Sequence, residues 1–331
     1  MIAVDRGLSV KPAYLLGGLV VAVLVAFALS LAIGPAGLGI EASGEARALI
    51  FTEIRLPRAI LGALIGAALG LSGAALQGYL RNPLAEPTLV GVSGGAALGA
   101  VLAIHLGLSQ VFALALPLGG LAGAAAAMLL VVALAGVRGG PVTLILAGLA
   151  VSSIATALIS LALNLSQNPF AAVEMVFWMM GSLADRSLTH VWLAAPLMLA
   201  GIGALLIVGR ALDALTLGED AAASLGIDLA RTRVMVIAGT ALAVGAATAV
   251  TGIIGFVGLI VPHVLRPFAQ HRPGLLLPAS MLGGAIMLLA ADVGLRLVQP
   301  WMELRIGVLT ALIGAPFFVW LVIRTRAELA P

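Results

Sequence analysis

Residues 59–80 read AILGALIGAALGLSGAALQGYL, an uncharged run held between Arg58 and Arg81. The hydrocarbon core of a bilayer takes about 20 apolar residues per helix, so this run can cross one. Small residues let helix backbones approach closely in lipid, where no hydrophobic drive pushes helices together. Outward from this run the pattern repeats. Charge-free stretches occupy 12–40, 87–137, 139–173, 187–209, 234–265, 273–291 and 306–323. The stretch 87–137 holds two spans with a break near Gly107-Leu108-Ser109-Gln110. The stretch 234–265 divides at Thr251-Gly252 and Gly255 into one long and one short helix. The count is about ten spans. Transmembrane β-strands are excluded, because the runs are too long and do not alternate. The fold class is all-α, a polytopic membrane protein with 1–331 as a single transmembrane domain. The first stretch follows Arg6 and Lys11 and exceeds the roughly 7–15 apolar residues of a signal peptide, so it reads as a retained helix.

Composition agrees. Apolar residues make up 62% of the chain and charged residues 9%, against roughly 25% charged in soluble domains. That excludes an ordinary soluble enzyme or a disordered regulator. The 17 basic residues are scattered and form no stripe, so nucleic acid is not an expected partner. There is no cysteine, which excludes disulfides, thiolate metal sites and cysteine nucleophiles. With the N-terminus inside, Arg6, Lys11, Arg81, Arg138, Arg210, Arg231, Arg233, Arg266, Arg272, Arg324 and Arg326 lie on the cytoplasmic side. Arg47, Arg55, Arg58, Arg186, Arg296 and Arg305 lie outside. The excess follows the positive-inside rule and places both termini in the cytoplasm.

The chain also matches itself. Gly66-Ala67-Ala68-Leu69-Gly70-Leu71-Ser72-Gly73 aligns with Gly245-Ala246-Ala247-Thr248-Ala249-Val250-Thr251-Gly252, and Pro83 then meets Pro262. The first copy lies on the second span and the second on the seventh, which run in opposite directions. We read spans 2–5 and 7–10 as inverted repeats, a feature of transporters.

Nothing in the chain supplies power. Intramembrane charge marks ion and proton paths, and Asp292 is the one acid well inside a predicted span. We expect it to pair with Arg296 one helical turn on. No G-x-x-x-x-G-K-[ST] phosphate loop occurs, so ATP hydrolysis would belong to another chain. No H-E-x-x-H or G-x-S-x-G is present, and no catalytic, metal or cofactor site is assigned. The longest polar insertion, Arg210 to Arg233, contains Glu219 and Asp220 after Gly218, suited to a helix N-terminus, and Gly226, suited to a C-cap. A short surface helix for docking and a plain loop both fit. Met175, Phe177, Trp178, Met179 and Met180 cluster between spans 5 and 6, as a cavity wall or as an interfacial helix.

Several segments together carry a family likeness. They are Arg55-Leu56-Pro57-Arg58; Gln77 with Asn82-Pro83-Leu84-Ala85-Glu86-Pro87 and Gly91-Val92-Ser93-Gly94-Gly95; Leu217-Gly218-Glu219 through Leu225-Gly226; Ile254 through Arg266; Phe177-Trp178-Met179-Met180-Gly181-Ser182; and Gly314-Ala315-Pro316. Across roughly residues 12–325 the chain resembles the permease subunits of type II ABC import systems for iron–siderophore complexes, haem and cobalamin. The resemblance implies an inner-membrane importer of a metal chelate, with ferric siderophore or haem ahead of cobalamin. It implies a second permease copy, two ATP-binding cassette subunits carrying ATP and Mg, and a periplasmic or lipid-anchored binding protein. It makes 217–227 the coupling helix, through Gly218, Glu219, Asp220, Ala222, Leu225 and Gly226. It makes Arg55, Arg58 and Arg296 the docking cations for the binding protein. The turn with Pro141, Val142 and Thr143 becomes the cytoplasmic gate, and Gln77, Ser93, Trp178 and Met179 are candidates for the translocation path. His263 lies in a motif that the family shares across substrates, so a structural role is expected of it. A secondary carrier is the competing reading.

Overall fold

The computed structural model describes residues 11–34, 37–39, 44–136, 139–298 and 304–329, with side chains as far as Arg324. Arg6 and Arg138, counted above on the cytoplasmic side, lie outside the described residues. Helix α1 is Pro12–Ala32, and its end turns through a two-residue antiparallel hairpin, Ile33–Gly34 with Gly37–Leu38. Helix α2, Glu45–Leu49, runs through a wider turn at Ile50–Arg55 into α3, Leu56–Leu80. Then come α4 (Val92–His105), α5 (Leu108–Val111), α6 (Ala115–Ala135), α7 (Pro141–Asn164) and α8 (Pro169–Met179). Helices α9 (Leu188–Ile207), α10 (Gly209–Leu215), α11 (Glu219–Ser224) and α12 (Leu229–Thr251) follow. The chain closes with α13 (Val257–Leu265), α14 (Pro273–Val298) and α15 (Ile306–Leu329).

Local chemistry sets the boundaries. Proline opens α1, α7, α8 and α14, where its missing N–H costs nothing. Asp228 caps α12 by accepting from Arg231 N at 2.9 Å, and Asn168 caps α8 by accepting from Phe170 N at 3.0 Å. The stretch 139–173, read as one span, is two helices. Asn168 precedes Pro169 and is extended there, as the proline ring requires.

Among the described residues eight helices are long and apolar enough to cross a membrane: α1, the continuous 45–80 segment, α6, α7, α9, α12, α14 and α15. The other two expected spans are α4, of 14 residues, and α13, of 9 residues. At about 1.5 Å per residue both fall short of a ~30 Å hydrocarbon core. Helix α13 starts inside the bundle, after the Gly252–Phe256 break.

The packing reproduces the inverted repeat. Helix α3 packs on α13 and α14, while its counterpart α12 packs on α4 and α6, and α3 and α12 touch each other. The crossing points correspond. A Cβ added at Gly70 would run into the carbonyl of Ser280, and one added at Gly120 would lie 2.8 Å from Cα of Ala249, the residue aligned with Gly70. A Cβ on Gly66 would strike the carbonyl of Gly284, and one on Gly73 that of Gly258. Such backbone-to-backbone approach is the packing that small residues permit in lipid. The α3 stretch quoted above is the most enclosed of the spans, with 83% of its window buried.

Candidate functional site

Two ends of the bundle carry the polar chemistry. At the end expected outside, Asp292 of α14 is buried between two arginines. Arg58 donates to its carboxylate from Nε at 3.0 Å and from Nη2 at 2.7 Å. Arg296 donates from Nε at 3.0 Å and also from Nη2. The Asp292–Arg296 pair expected from sequence is present, and the third member, Arg58, is the addition. Arg296 further donates to Ser30 O at 2.7 Å, Ile33 O at 2.8 Å and Ser30 Oγ at 2.7 Å. Arg55 donates to Leu31 O at 2.8 Å, Ala32 O at 2.9 Å and Gly39 O at 2.5 Å. The last carbonyls of a helix have no partner inside it and carry the negative end of its dipole. At the end of α1 the two guanidiniums occupy them.

Of the three arginines expected to dock the binding protein, Arg55 and Arg296 are buried within the chain. Arg296 is 2% exposed and Arg55 8% exposed, and the hydrogen bonds of both go to the end of α1 and the hairpin that follows it and, for Arg296, to Asp292. Their geometry is that of a clasp joining α1, α3 and α14. Arg58, with its side chain 11% exposed, keeps one edge toward an outer cavity.

At the other end, α11 is a short helix with glycine at both limits. Gly218 has φ +104° and Gly226 φ +81°, conformations that glycine adopts without penalty. Ile227 N donates to Ala222 O at 3.1 Å and Gly226 N to Ala223 O at 2.9 Å, which closes the C-terminus as a Schellman motif. Ala222 is fully buried and seats the helix, while Glu219, Asp220, Leu225 and the preceding Leu217 are exposed. Helix, not plain loop, is what the segment forms. Arg81, at the left-handed end of α3, reaches Glu219 at 3.4 Å. Asp213 of α10 accepts from Gly274 N at 2.7 Å, holding the start of α14. The α10–α11 segment is thereby tied to the inner ends of both α3 and α14.

The remaining candidates are dispersed. Gln77 is buried. It donates to Gly258 O at 3.2 Å and Ala85 O at 3.3 Å, and it accepts from Arg266 at 2.5 Å. Glu86 accepts from Phe256 N at the start of α13, a carboxylate where the dipole favours one. Ser93 and Trp178 are buried within the chain and Met179 is half-buried. Helix α8 buries Met175 and Trp178 and exposes Phe170, Val173 and Phe177. Pro141 opens α7, with Val142 and Thr143 exposed beside it. Arg233 donates to the carbonyls of Gly139 and Ala135 just before that turn. The His263 ring packs edge-on against Phe317 at 5.5 Å and Trp320 at 6.2 Å. Among the described residues no three His, Cys, Asp or Glu converge as metal ligands.

One feature escaped the sequence reading. Ser153, Thr156, Ser160 and Asn164 lie three to four residues apart on α7 and are exposed, which puts them on one face. Ser153 and Thr156 return their hydroxyls to carbonyls one turn back, at 2.8 and 2.9 Å. The signal was the hydroxyl spacing within an otherwise apolar run.

A bundle of eight membrane-length helices and two shorter ones, with an internal repeat and a surface helix at one end, is the build of a transport permease. The chain belongs to the FecCD transport family, whose model matches residues 13–324. It is 38% identical over 317 residues to the vitamin B12 import system permease protein BtuC of Klebsiella pneumoniae, covering 94% of each chain. It is 41% identical over 282 residues to the uncharacterized ABC transporter permease protein YvrB of Bacillus subtilis, covering 83% of this chain and 79% of that one. Among solved structures, an inward-facing ABC transporter assigned to the metal-chelate type superposes with a TM-score of 0.84 at 34% identity. The match covers 93% of this chain and 98% of the other.

Proposed function

We propose that this chain is the membrane subunit of an ATP-driven importer that carries a metal chelate, ferric siderophore or haem, across the inner membrane by alternating access. Two copies pair around the path. Two ATP-binding cassette subunits, which hold ATP and Mg, dock beneath them, and a periplasmic or lipid-anchored binding protein delivers cargo above. Both termini are cytoplasmic. The observation that carries the reading is α11, a short helix bounded by Gly218 and Gly226 that presents Glu219, Asp220 and Leu225 while tied to α3 and α14. An ATP-driven importer whose membrane chain holds no phosphate loop needs such a handle for its ATPase. The hydroxyl face of α7 and the Pro141–Thr143 turn then line the path and its inner gate. Of the three expected docking cations we assign the contact with the delivery protein to Arg58, which lines an outer cavity.

A cobalamin cargo is the second reading, favoured by the identity to cobalamin permeases. Deleting the gene and measuring uptake of haem, several ferric siderophores, free iron and cobalamin tests both. Loss on one iron chelate supports the first reading, and loss on cobalamin alone supports the second. Uptake that survives loss of the ATPase partner and collapses with the proton gradient would make the chain a secondary carrier instead.

A further inference from the structure

The outer end holds a second cluster of charge, beside the Asp292 clasp. A cavity of about 450 Å³ is lined by Glu53 and Arg58 near the start of α3, by Asp185, Arg186 and Ser187 after α8, and by Arg305 before α15. Arg186 stands out. Its Nε is buried with no hydrogen-bond partner among the described residues. Burial pushes its pKa down, Asp185 pulls it back up, and Arg305 pushes it down again. A guanidinium keeps its proton under such pressure, so an unpaired charge stays in a half-enclosed site, where it is unfavourable. Arg305 is similar. It makes no ion pair among the described residues, rests over the Phe177 ring at 5.2 Å, and reaches Ser182 Oγ only at 3.5 Å. Arg58, by contrast, is already neutralised by Asp292.

Two guanidiniums that repel each other across a cavity, neither in an ion pair among the described residues, describe a site open to an anion. Their planar forks match a carboxylate in two-point geometry. With Arg58 neutralised by Asp292, Glu53 and Asp185 balance Arg186 and Arg305 among the described lining residues, so the pocket selects by the geometry of the two forks and not by excess charge. The volume lies within the usual range for small-molecule sites.

We propose that this pocket receives a free carboxylate of the cargo between Arg186 and Arg305, and that it selects chelates presenting such a group at the outer face. The inference rests on the importer reading above and narrows its substrate class.

Radiolabelled citrate is the probe, measured by equilibrium dialysis on the full-length permease in phosphatidylcholine nanodiscs. Saturable binding is expected, weakened about tenfold or more by Arg186→Gln and by Arg305→Gln, the range for losing a hydrogen-bonded charge. Arg305→Lys should recover part of it. Arg305 is only half-buried, so its variants hold the test if Arg186→Gln fails to fold. Absence of saturable binding, or binding untouched by both variants, overturns the proposal. Displacement of citrate by phosphatidylglycerol in the disc assigns the pocket to lipid headgroups and overturns it as well. So does a result in which the variants weaken capture of the delivery protein while citrate never binds. Association of the ATPase partner is measured on the same samples. If it persists while citrate fails, the pocket alone falls; if it is absent in the parent protein, the importer reading falls.

Discussion

Replacing Asp292 with Asn tests whether the outer clasp is structural. The carboxylate is 1% exposed and takes hydrogen bonds from two guanidiniums, themselves 11% and 2% exposed. Removing one partner of a buried ion pair costs about 3–5 kcal/mol, because the remaining charge stays buried without compensation. Arg296 retains Ser30 O, Ser30 Oγ and Ile33 O as acceptors, and the Asn carbonyl keeps one bond. The lower end, about 3 kcal/mol, is therefore expected. At about 1.4 kcal/mol per decade, that raises the unfolded fraction roughly a hundredfold. Denaturant unfolding of the nanodisc-embedded protein reads the loss. Replacing Asp292 with Leu and both Arg58 and Arg296 with Met should recover part of it, since apolar residues of similar volume often substitute for a buried ionic cluster. Uptake per folded Asp292→Asn molecule should be unchanged. A folded, stable Asp292→Asn protein that no longer transports would refute the reasoning and make Asp292 an ion relay.

Three further outcomes follow from the geometry. Glu219→Arg combined with Leu225→Arg alters only exposed side chains and one exposed ion pair worth about 0–1 kcal/mol; stability should hold while co-purification of the ATPase partner is lost, and retained co-purification would count against α11 as the dock. Gly73→Val drives a side chain into the carbonyl of Gly258 and should cost at least the ~3 kcal/mol upper range of overpacking, whereas Gly17→Ala meets nothing within 4 Å and should add up to about 1 kcal/mol of helix stability; comparable thermal stability of the two variants would contradict the packing. Asp213→Ala with Arg81→Ala removes both ties of the α10–α11 segment, and cargo moved per ATP should fall while hydrolysis continues; an unchanged ratio would show that those ties carry no load.

Much of this was legible in sequence because bilayer length and charge exclusion act locally. The uncharged runs marked the spans, and glycine at 218 and 226 marked both ends of α11. The Asp292–Arg296 pair was legible because it lies within one helical turn. Arg58 meets Asp292 across 234 positions of chain, a separation that no periodicity reports. For the same reason Arg55 and Arg296 read as outward cations. Their acceptors are carbonyls at the end of α1, and backbone groups leave no mark in residue identities. Helix α8 was merged with α7 because the absence of charge outweighed Asn168-Pro169, although that dipeptide favours an extended break.

The two halves of the repeat are packed alike but connected differently. The crossing of α3 with α14 and that of α12 with α6 both rest on residues without room for a side chain. Contacts of that kind move as a unit, because backbone against backbone has no rotamers to absorb a shift. Only the α3–α14 pair is also tied at its inner ends to the α10–α11 segment, through Arg81–Glu219 and Asp213–Gly274. The same pair is clasped at its outer ends through Arg58–Asp292, with α1 held to it by Arg55 and Arg296. A displacement of α11 therefore reaches the outer face along α3 and α14 together, through a body fastened at both ends. Helix α7 stands outside that body. It packs against α4 and α6, which belong to the other crossing, and turns its hydroxyl face away from the protomer. In the alternating-access cycle proposed above, motion of the α3–α14 body relative to α7 supplies the relative motion, and the two polar ties at the inner end are where it can be interrupted without disturbing the fold.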